Sequence, residues 1–309
     1  MTDLTLDIDG PVHVVDHGGE GPALLLVHGL GGSHLDWSDV APSFTRDHHV
    51  WAIDLIGFGR TPVEGRHASI DDNRRLVDGV AERVGQGQPV VLMGNSMGGL
   101  ISILEASCQP ERVSGLILVD PALPSARGGR LSVMIAAAFL VLTVPGVGGR
   151  VMQGHARRRG AERLVDDVLT LCTVDASRIN PRTRDAQIEL TRWRQGLDEP
   201  DRAFLEASRS LVRWLLRRAT LEPHIRRIQA PTLLIHGDTD RLVSLSAAGA
   251  VATLRPDWEF RVLTSTGHVP QLERPQAFVA LVDHWLESQP GLARRSAQPA
   301  EPAVSTARR

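Results

Sequence analysis

Residues 94–98 read Gly-Asn-Ser-Met-Gly, and this stretch decides how the rest of the chain is interpreted. An apolar run at 89–93 precedes it and indicates a short buried strand, whereas 97–106 has the composition of a buried helix. A sharp strand-to-helix turn would hold Ser96 in a strained conformation and expose its hydroxyl, with glycines two positions away on either side avoiding clashes. The turn would also leave the backbone N–H of Met97 at a helix N-terminus, where an anion can bind.

The composition is that of a globular protein. The chain has 309 residues, enough for one large α/β domain or a core domain with an insertion. Its apolar fraction is 42% and its formal net charge is -2, so no nucleic-acid partner is expected. All 34 basic residues are arginine, and the chain contains no tyrosine. The missing lysine and tyrosine exclude some chemistries considered below.

Neither a cofactor nor a metal site is predicted. The two cysteines, Cys108 and Cys172, form no disulfide framework and no metal-binding pattern, so buried free thiols are expected. Several histidines lack metal-ligand spacing and are interpreted as solvated loop residues. These are His34, His48, His49 and His67. Residues 1–4 do not resemble a signal peptide, which favours a cytoplasmic location.

Apolar runs and helical patterns alternate over much of the chain. This alternation predicts an α/β fold with a mostly parallel sheet covered by helices on both faces, and with an N-terminal β-hairpin at its edge. The predicted strands are 4–8, 12–17, 23–27, 50–54, 89–93, 113–120, 231–236 and 260–263. The predicted helices are 36–44, 70–84, one that begins at 97, 246–254 and 276–286.

The alternation stops after the strand at 113–120. Residues 122–224 have helical patterning and many arginines, which predicts an inserted helical cap or lid. The core would then comprise 1–121 and 225–289. The tail, 290–309, is rich in Pro, Ala, Ser and Arg and is predicted to be disordered.

An uncharged stretch of the cap, 131–144, is shorter than the roughly 20 residues that a membrane-spanning helix needs. It could form a cap helix packed over the sheet. Alternatively, it could line a tunnel for an apolar acyl chain or contact a lipid surface, with the arginines at 157–159 favouring anionic headgroups. Peripheral membrane association is therefore a second expectation for location. The oligomeric state cannot be predicted.

A serine hydroxyl needs a base, and the base needs an acid that orients it. Asp240 follows the predicted strand at 231–236, and His268 follows the last strand. Loops at the carboxyl ends of parallel strands lie at one edge of a sheet, where ligands bind. Two other carboxylates compete for the role of the acid: Asp238, in the same loop as Asp240, and Asp120, at the end of the preceding strand.

With these motifs, the sequence resembles the α/β-hydrolase fold family over residues 20–121 and 225–288, and more specifically its serine esterases and lipases with a helical cap. The matching segments are 28–32, 54–59, 94–99, 237–243 and 267–275. The resemblance implies that Ser96 is the nucleophile, His268 the general base and Asp240 its orienting acid. It also implies an oxyanion hole formed by the backbone N–H groups of Leu30 and Met97, in which each donor stabilises the transition state by about 3–4 kcal/mol.

Other residues near these motifs have simpler roles. His28 precedes the predicted oxyanion loop and is expected to hydrogen-bond to backbone and shape that loop. Trp37 could line an acyl pocket, although packing in the core is favoured. Asp54 and Arg60 are expected to hold the glycine-rich loop after the second parallel strand in shape.

Single residues separate the possible reactions. Epoxide hydrolases and haloalkane dehalogenases of this family use an aspartate where Ser96 stands, and epoxide hydrolases also rely on tyrosines that this chain lacks. Hydroxynitrile lyases usually need a lysine, which is missing as well. Hydrolases that cleave carbon–carbon bonds of ring-cleavage products often share the string at 94–99. They tend, however, to have a proline in the oxyanion loop and a different motif at 54–59.

A serine hydrolase of carboxylic esters, with a lipase-like enzyme as the narrower option, is therefore the leading hypothesis, with an acyl-enzyme intermediate and a small-molecule ester as substrate. Carbon–carbon bond hydrolysis and cofactor-free haloperoxidase or perhydrolase activity use the same three residues and stay open. A non-catalytic ligand-binding protein is the contrasting class. Substrate identity and acyl-chain length depend on the cap, which carries no readable motif.

Overall fold

The computed structural model describes residues 1–124, 160–197 and 200–292 of the 309-residue chain. Its centre is an eight-stranded sheet in the order β1-β2-β4-β3-β5-β6-β7-β8. The strands are β1 Thr2–Asp7, β2 Pro11–Gly18, β3 Ala23–Val27, β4 His49–Ile53, β5 Val90–Asn95, β6 Val113–Val119, β7 Thr232–Gly237 and β8 Glu259–Leu263. Each predicted strand is thus confirmed, with ends that differ by a few residues at most.

Strand direction divides the sheet into two parts. β1 and β2 form the predicted hairpin, and β2 also pairs with β4 in antiparallel fashion. The other six strands, β4, β3, β5, β6, β7 and β8 in sheet order, are all parallel to one another. The carboxyl ends of these six strands therefore lie at one edge of the sheet, which is where ligands bind in such folds.

Helices cover both faces of the sheet. In the described residues they are α1 Ala41–Phe44, α2 Ile70–Gly85, α3 Met97–Cys108, α4 Ala161–Cys172, α5 Pro181–Gln195, α6 Pro200–Leu216, α7 Arg218–Arg227, α8 Leu245–Leu254, α9 Pro270–Glu273 and α10 Pro275–Ser288. Apolar residues of α2, α3 and α8 form one core with one face of the sheet, and those of α1 and α10 form a second core with the other face. Both faces of the central strands β3, β5, β6 and β7 are buried, which explains their continuous apolar runs, whereas the edge strand β8 is partly exposed.

The insertion between β6 and β7 is helical. All the regular elements described there, α4 to α7, are helices, apart from one 3₁₀ turn at Ala176–Arg178. The helix α7 runs across the predicted boundary at 224/225 and buries Leu221 and Ile225 in the same core as α3. Residues 131–144 lie outside the described residues, so both interpretations of that stretch stay predictions. Within the described part of the chain, no helix combines the length and apolarity needed to cross a membrane.

Two expectations about element ends differ from the structure. The predicted helix 36–44 is split into a 3₁₀ turn, His34–Trp37, and α1, because Pro42 suits only the first turn of a helix and cannot extend the preceding one. The predicted tail also begins too early, since Leu292 is 4% exposed and packs in the second core. Residues 293–309, the remainder of that tail, lie outside the described residues.

Candidate active site

Ser96 occupies the sharp turn between β5 and α3. Its backbone has φ +53° and ψ −116°, a conformation that L-residues rarely adopt and that costs free energy. The flanking glycines are required by close packing: a Cβ on Gly98 would lie 2.3 Å from the carbonyl oxygen of Val27, and one on Gly94 would lie 2.5 Å from that of Gly98. The predicted strand–turn–helix is confirmed, and the side chain of Ser96 is partly exposed at the carboxyl edge of the sheet.

His268 and Asp240 meet in the neighbouring loops. The imidazole Nδ1–H donates to Asp240 Oδ2 over 2.7 Å, and the ring is buried. The other carboxylate oxygen of Asp240 accepts from the backbone N–H groups of Leu242, at 2.7 Å, and Val243, at 3.1 Å. One oxygen therefore fixes the turn that carries the carboxylate while the other orients the ring, so that Nε2 of His268 is left unprotonated in the neutral imidazole.

Asn95 joins the serine turn to the histidine loop. Its side-chain Nδ2 donates to the carbonyl oxygens of His268 and Val119, each over 3.0 Å. No hydrogen bond to the Ser96 hydroxyl is found within the described ranges, so the structure brings serine and histidine together through adjacent residues and not through a direct bond. Such bonds often tighten only when a substrate is bound. The motif at 94–98 contains Asn95, but its role was not predicted.

Two buried carboxylates, Asp120 and Asp240, could serve as the acid, and their pKa values are shifted in opposite directions. Burial, followed by the nearby charge of Asp240, raises the pKa of Asp120 well above its usual range. Burial also acts to raise the pKa of Asp240, but the positive charge of His268 and its hydrogen bond outweigh this and hold that pKa below its usual value. Of the two, Asp120 is therefore the acid that holds a proton more readily, and Asp240 is the one that ionises more readily.

The contacts of the other two candidate acids are with backbone and neighbouring side chains. Asp120 accepts from the backbone N–H of Gly237 over 2.9 Å. Asp238 is exposed and accepts from the hydroxyl of Thr239 and from the backbone N–H of Thr266, which confirms it as a turn residue. Of the three carboxylates, Asp240 is the one that hydrogen-bonds to the ring of His268.

The loop after β3 lies against the serine turn. A Cβ on Gly29 would lie 3.1 Å from Cβ of Ser96, so the two backbones approach closely. The backbone N–H of the following residue, Leu30, donates no hydrogen bond to the described residues. Met97 is the first residue of α3, and its N–H has no partner within the helix. Both groups are available to a ligand, and their role as an oxyanion hole stays a prediction.

His28 shapes this loop, as expected. Its Nε2 accepts from the backbone N–H of Leu55 over 3.0 Å, so the ring proton is on Nδ1, which donates to the carbonyl oxygen of Gly29 over 2.7 Å. Burial lowers the pKa of His28 to about 4. The ring is therefore neutral at physiological pH, and both its nitrogens are occupied in holding backbone.

Glu273 was missed as a supporting residue of the site. Its buried carboxylate accepts from the backbone N–H of Gly267, at 2.7 Å, and from those of Val174 and Asp175 in the insertion. The backbone N–H of His268 also donates to the carbonyl oxygen of Cys172, over 2.7 Å. The histidine loop is thus bonded directly to the insertion. The only sequence signal was the spacing of Glu273 behind His268.

Side chains of the insertion also contact the loops around the serine. Arg194 donates to the carbonyl oxygens of Gly59 and Gly57, over 2.8 and 2.6 Å. The ring of Phe204 lies against Gly31, where an added Cβ would be 3.1 Å from the ring. The helices α5 and α6 therefore rest on the glycine-rich loop after β4 and on the candidate oxyanion loop.

The expectation of solvated loop histidines is wrong for two of the four. His34 is buried, and its ring Nδ1–H and backbone N–H both donate to Asp54. His48 is buried as well, and its Nε2 contacts the carbonyl oxygen of Leu292 over 2.7 Å. Their partners lie far away in the sequence, which is why local spacing did not reveal them. His49 and His67 keep partly exposed side chains.

Two further expectations are confirmed. Trp37 is fully buried in the second core and packs with the sheet. Asp54 holds the glycine-rich loop by accepting from the backbone N–H of Arg60 over 2.8 Å, and a Cβ on Gly59 would clash with its carboxylate.

Comparisons with known proteins show the family to which the chain belongs. A sequence model described as the alpha/beta hydrolase fold matches residues 22–275. The pimeloyl-[acyl-carrier protein] methyl ester esterase of Aeromonas hydrophila subsp. hydrophila is 25% identical, covering 88% of this chain and 98% of the relative. The 2-hydroxy-6-oxo-6-(2'-aminophenyl)hexa-2,4-dienoic acid hydrolase of Metapseudomonas resinovorans is also 25% identical, covering 90% and 89%. A thermophilic esterase from Thermogutta terrifontis superposes with a TM-score of 0.71 at 21% identity, covering 93% and 99%, and shares the fold.

Proposed function

Because the chain belongs to the α/β-hydrolase fold family, we propose that it hydrolyses a carboxylic ester through an acyl-enzyme formed on Ser96. The observation that carries the proposal is the pairing of His268 with Asp240 over 2.7 Å in the loop that Asn95 ties to the serine turn. The remaining parts of the reaction would come from the strained serine at a helix N-terminus and from the N–H groups of Leu30 and Met97, for which the described part of the chain supplies no acceptor.

The reaction proceeds in two balanced halves. Ser96 Oγ attacks the ester carbonyl while His268 Nε2 takes its proton, and the resulting oxyanion accepts hydrogen bonds from the N–H groups of Leu30 and Met97. The imidazolium is stabilised by the ionised Asp240. Collapse of the tetrahedral intermediate breaks the bond to the alcohol, which takes the proton from His268. Water then repeats the sequence on the acyl-enzyme and releases the acid and the free serine.

The proposed substrate is a small-molecule ester with an apolar acyl group. Support comes from the ring of Phe204 lying against Gly31, because an apolar ring beside the oxyanion loop favours an apolar neighbour. Among the relatives, two are named as hydrolases of a methyl ester and of a dienoic acid. Contact of residues 131–144 with a lipid surface stays a prediction. Deleting that stretch should change the preference between short and long acyl esters if it lines the acyl site.

Carbon–carbon bond hydrolysis is the second candidate function. The string at 94–99 and the relative from Metapseudomonas resinovorans favour it. Against it, residues 28–32 contain no proline in the oxyanion loop. Parallel assays of p-nitrophenyl esters of graded length and a ring-cleavage dienoate would separate the two functions by their kcat/KM values.

Labelling with a fluorophosphonate probe tests the nucleophile. The chain should be labelled stoichiometrically, and Ser96→Ala should abolish labelling and lower kcat by about 10⁴- to 10⁶-fold. Ser107→Ala is a matched control, because Ser107 also contacts a histidine ring, His224, over 3.0 Å but lies outside the strained turn. Labelling that persists in Ser96→Ala, or that disappears in Ser107→Ala, would contradict the proposal.

A further inference from the structure

Three residues that are distant in sequence converge at the antiparallel edge of the sheet. Asp3 lies on β1, His13 on β2, and His34 in the turn that follows β3. One potential metal-ligating atom from each residue lies within 4.8 Å of the others. The two imidazole rings are adjacent, with centroids 4.8 Å apart. The serine reaction uses none of these three side chains.

A buried carboxylate fixes the orientation of both rings. Asp54 accepts from His13 Nδ1 over 2.9 Å and from His34 Nδ1 over 3.0 Å. Both oxygens of Asp54 also accept from backbone N–H groups, Oδ1 from His34 over 2.7 Å and Oδ2 from Arg60 over 2.8 Å, so Asp54 is the acceptor toward the two rings. Each Nδ1 therefore donates to Asp54, and the Nε2 atom of each ring is left for another partner.

The free nitrogen of His13 faces a second carboxylate. Nε2 of His13 and Oδ1 of Asp3 are 3.1 Å apart. A lone pair and a carboxylate oxygen repel each other unless a cation, either a proton or a metal ion, lies between them. The separation fits a shared metal, because two ligands at about 2.0–2.1 Å from a tetrahedral zinc ion are about 3.3 Å apart.

We propose that Asp3, His13 and His34 bind a divalent transition-metal ion of the zinc class. Metal-ligating histidines usually donate their other ring N–H to a carboxylate, which is the arrangement that Asp54 provides for both rings. Two imidazoles and one carboxylate suit Zn²⁺ and its neighbours, whereas Mg²⁺ and Ca²⁺ prefer oxygen ligands alone. The ion would join the edge strand β1 to the loop that carries His34.

Zinc binding by the purified full chain tests the site. After removal of metal with a chelator, titration with Zn²⁺ should show one ion per chain at micromolar concentration and a rise in the melting temperature. Asp3→Asn removes one ligand, and because that side chain is 66% exposed, the fold should tolerate the change. His34→Gln removes a second ligand. Each variant should weaken Zn²⁺ binding at least about tenfold.

Asp16→Asn is the matched control. Asp16 also contacts a histidine nitrogen, His49 Nε2, over 2.8 Å, but no second histidine lies within metal-binding distance of that pair in the described residues. This variant should bind Zn²⁺ as the unmodified chain does. The proposal is overturned if the unmodified chain retains no Zn²⁺ at micromolar concentration. It is equally overturned if either Asp3→Asn or His34→Gln binds as tightly as the unmodified chain.

Discussion

Two buried aspartates, Asp54 and Asp240, have similar surroundings in different parts of the molecule. Each follows a strand of the sheet and accepts a hydrogen bond from Nδ1 of a histidine: Asp240 from His268, and Asp54 from both His13 and His34. At both sites burial would favour the neutral acid, and at both the histidines outweigh burial and keep the carboxylate ionised. The same arrangement thus occurs beside the serine turn and at the sheet edge.

Buried carboxylates with other neighbours are protonated more readily. Burial and then the charge of Asp78 raise the pKa of Glu105 to about 7, although Arg74 lies 2.8 Å away. Burial is also the main cause of the raised pKa of Asp120. The comparison teaches that donation from imidazole N–H groups, and not burial, decides which of these acids is charged. The roles of Asp54 and Asp240 then depend on the group that faces Nε2 of the histidine with which each is paired.

Asp240→Asn should have the largest effect. The amide cannot stabilise the imidazolium of His268 and would favour the wrong tautomer, so kcat for a p-nitrophenyl ester should fall by about 10³- to 10⁴-fold. Asp120→Asn is the matched control, because Asp120 makes no hydrogen bond to His268 in the described residues and its raised pKa favours the neutral form, which the amide resembles; its kcat should fall by less than about tenfold. Circular dichroism would verify folding of both variants. An equal loss in the two would show that the orienting acid is shared or is Asp120.

Asp54→Asn should mainly reduce stability. It places an amide where a carboxylate accepts from two imidazoles and two backbone N–H groups, and should lower the free energy of unfolding by about 3–5 kcal/mol. Because the pKa of Asp54 is lowered on folding, this contribution is present above about pH 4 and is lost as the pH falls further. Urea unfolding at several pH values measures it. Asp16→Asn, at a partly exposed pair, should cost at most about 1 kcal/mol.

The effect of Glu105→Gln on the free energy of unfolding should depend on pH in the opposite direction to that of Asp54→Asn, and it should be smaller. The folded protein keeps a proton on Glu105 up to about pH 7, whereas the unfolded chain releases it near pH 4.5, so stability falls as the pH rises between these values. The variant lacks this loss. Its stability relative to the unmodified chain should therefore increase by about 1–3 kcal/mol from pH 4.5 to pH 7. A difference that stays constant with pH would mean that Arg74 keeps Glu105 ionised.

Most of the architecture could be predicted because short patterns in the sequence determine it. Continuous apolar runs identified the parallel strands, and the glycines around Ser96 identified the turn, since only glycine fits the backbone contacts at positions 94 and 98. The residues Asp240 and His268 were found by their position after strands. Their pairing could be expected from the fold, but the choice between Asp240 and Asp120 required the geometry.

The parts that could not be predicted depend on contacts between distant segments. The sequence alone indicates a solvated His34, because nothing near it in sequence points to Asp54, twenty positions later, or to His13 on β2. Likewise, Glu273 bonds to residues 174 and 175 across almost a hundred positions. Such partners become visible only when the sheet order is known.

The backbone conformation of Ser96 has a consequence for how this protein could change over time. A non-glycine residue held at φ +53° and ψ −116° costs about 1–3 kcal/mol of folding free energy. Exchange for glycine would recover part of that cost and remove the hydroxyl in one step. A related protein that no longer needed the reaction would become more stable by losing this serine. The serine is therefore expected to be retained only where its hydroxyl is used.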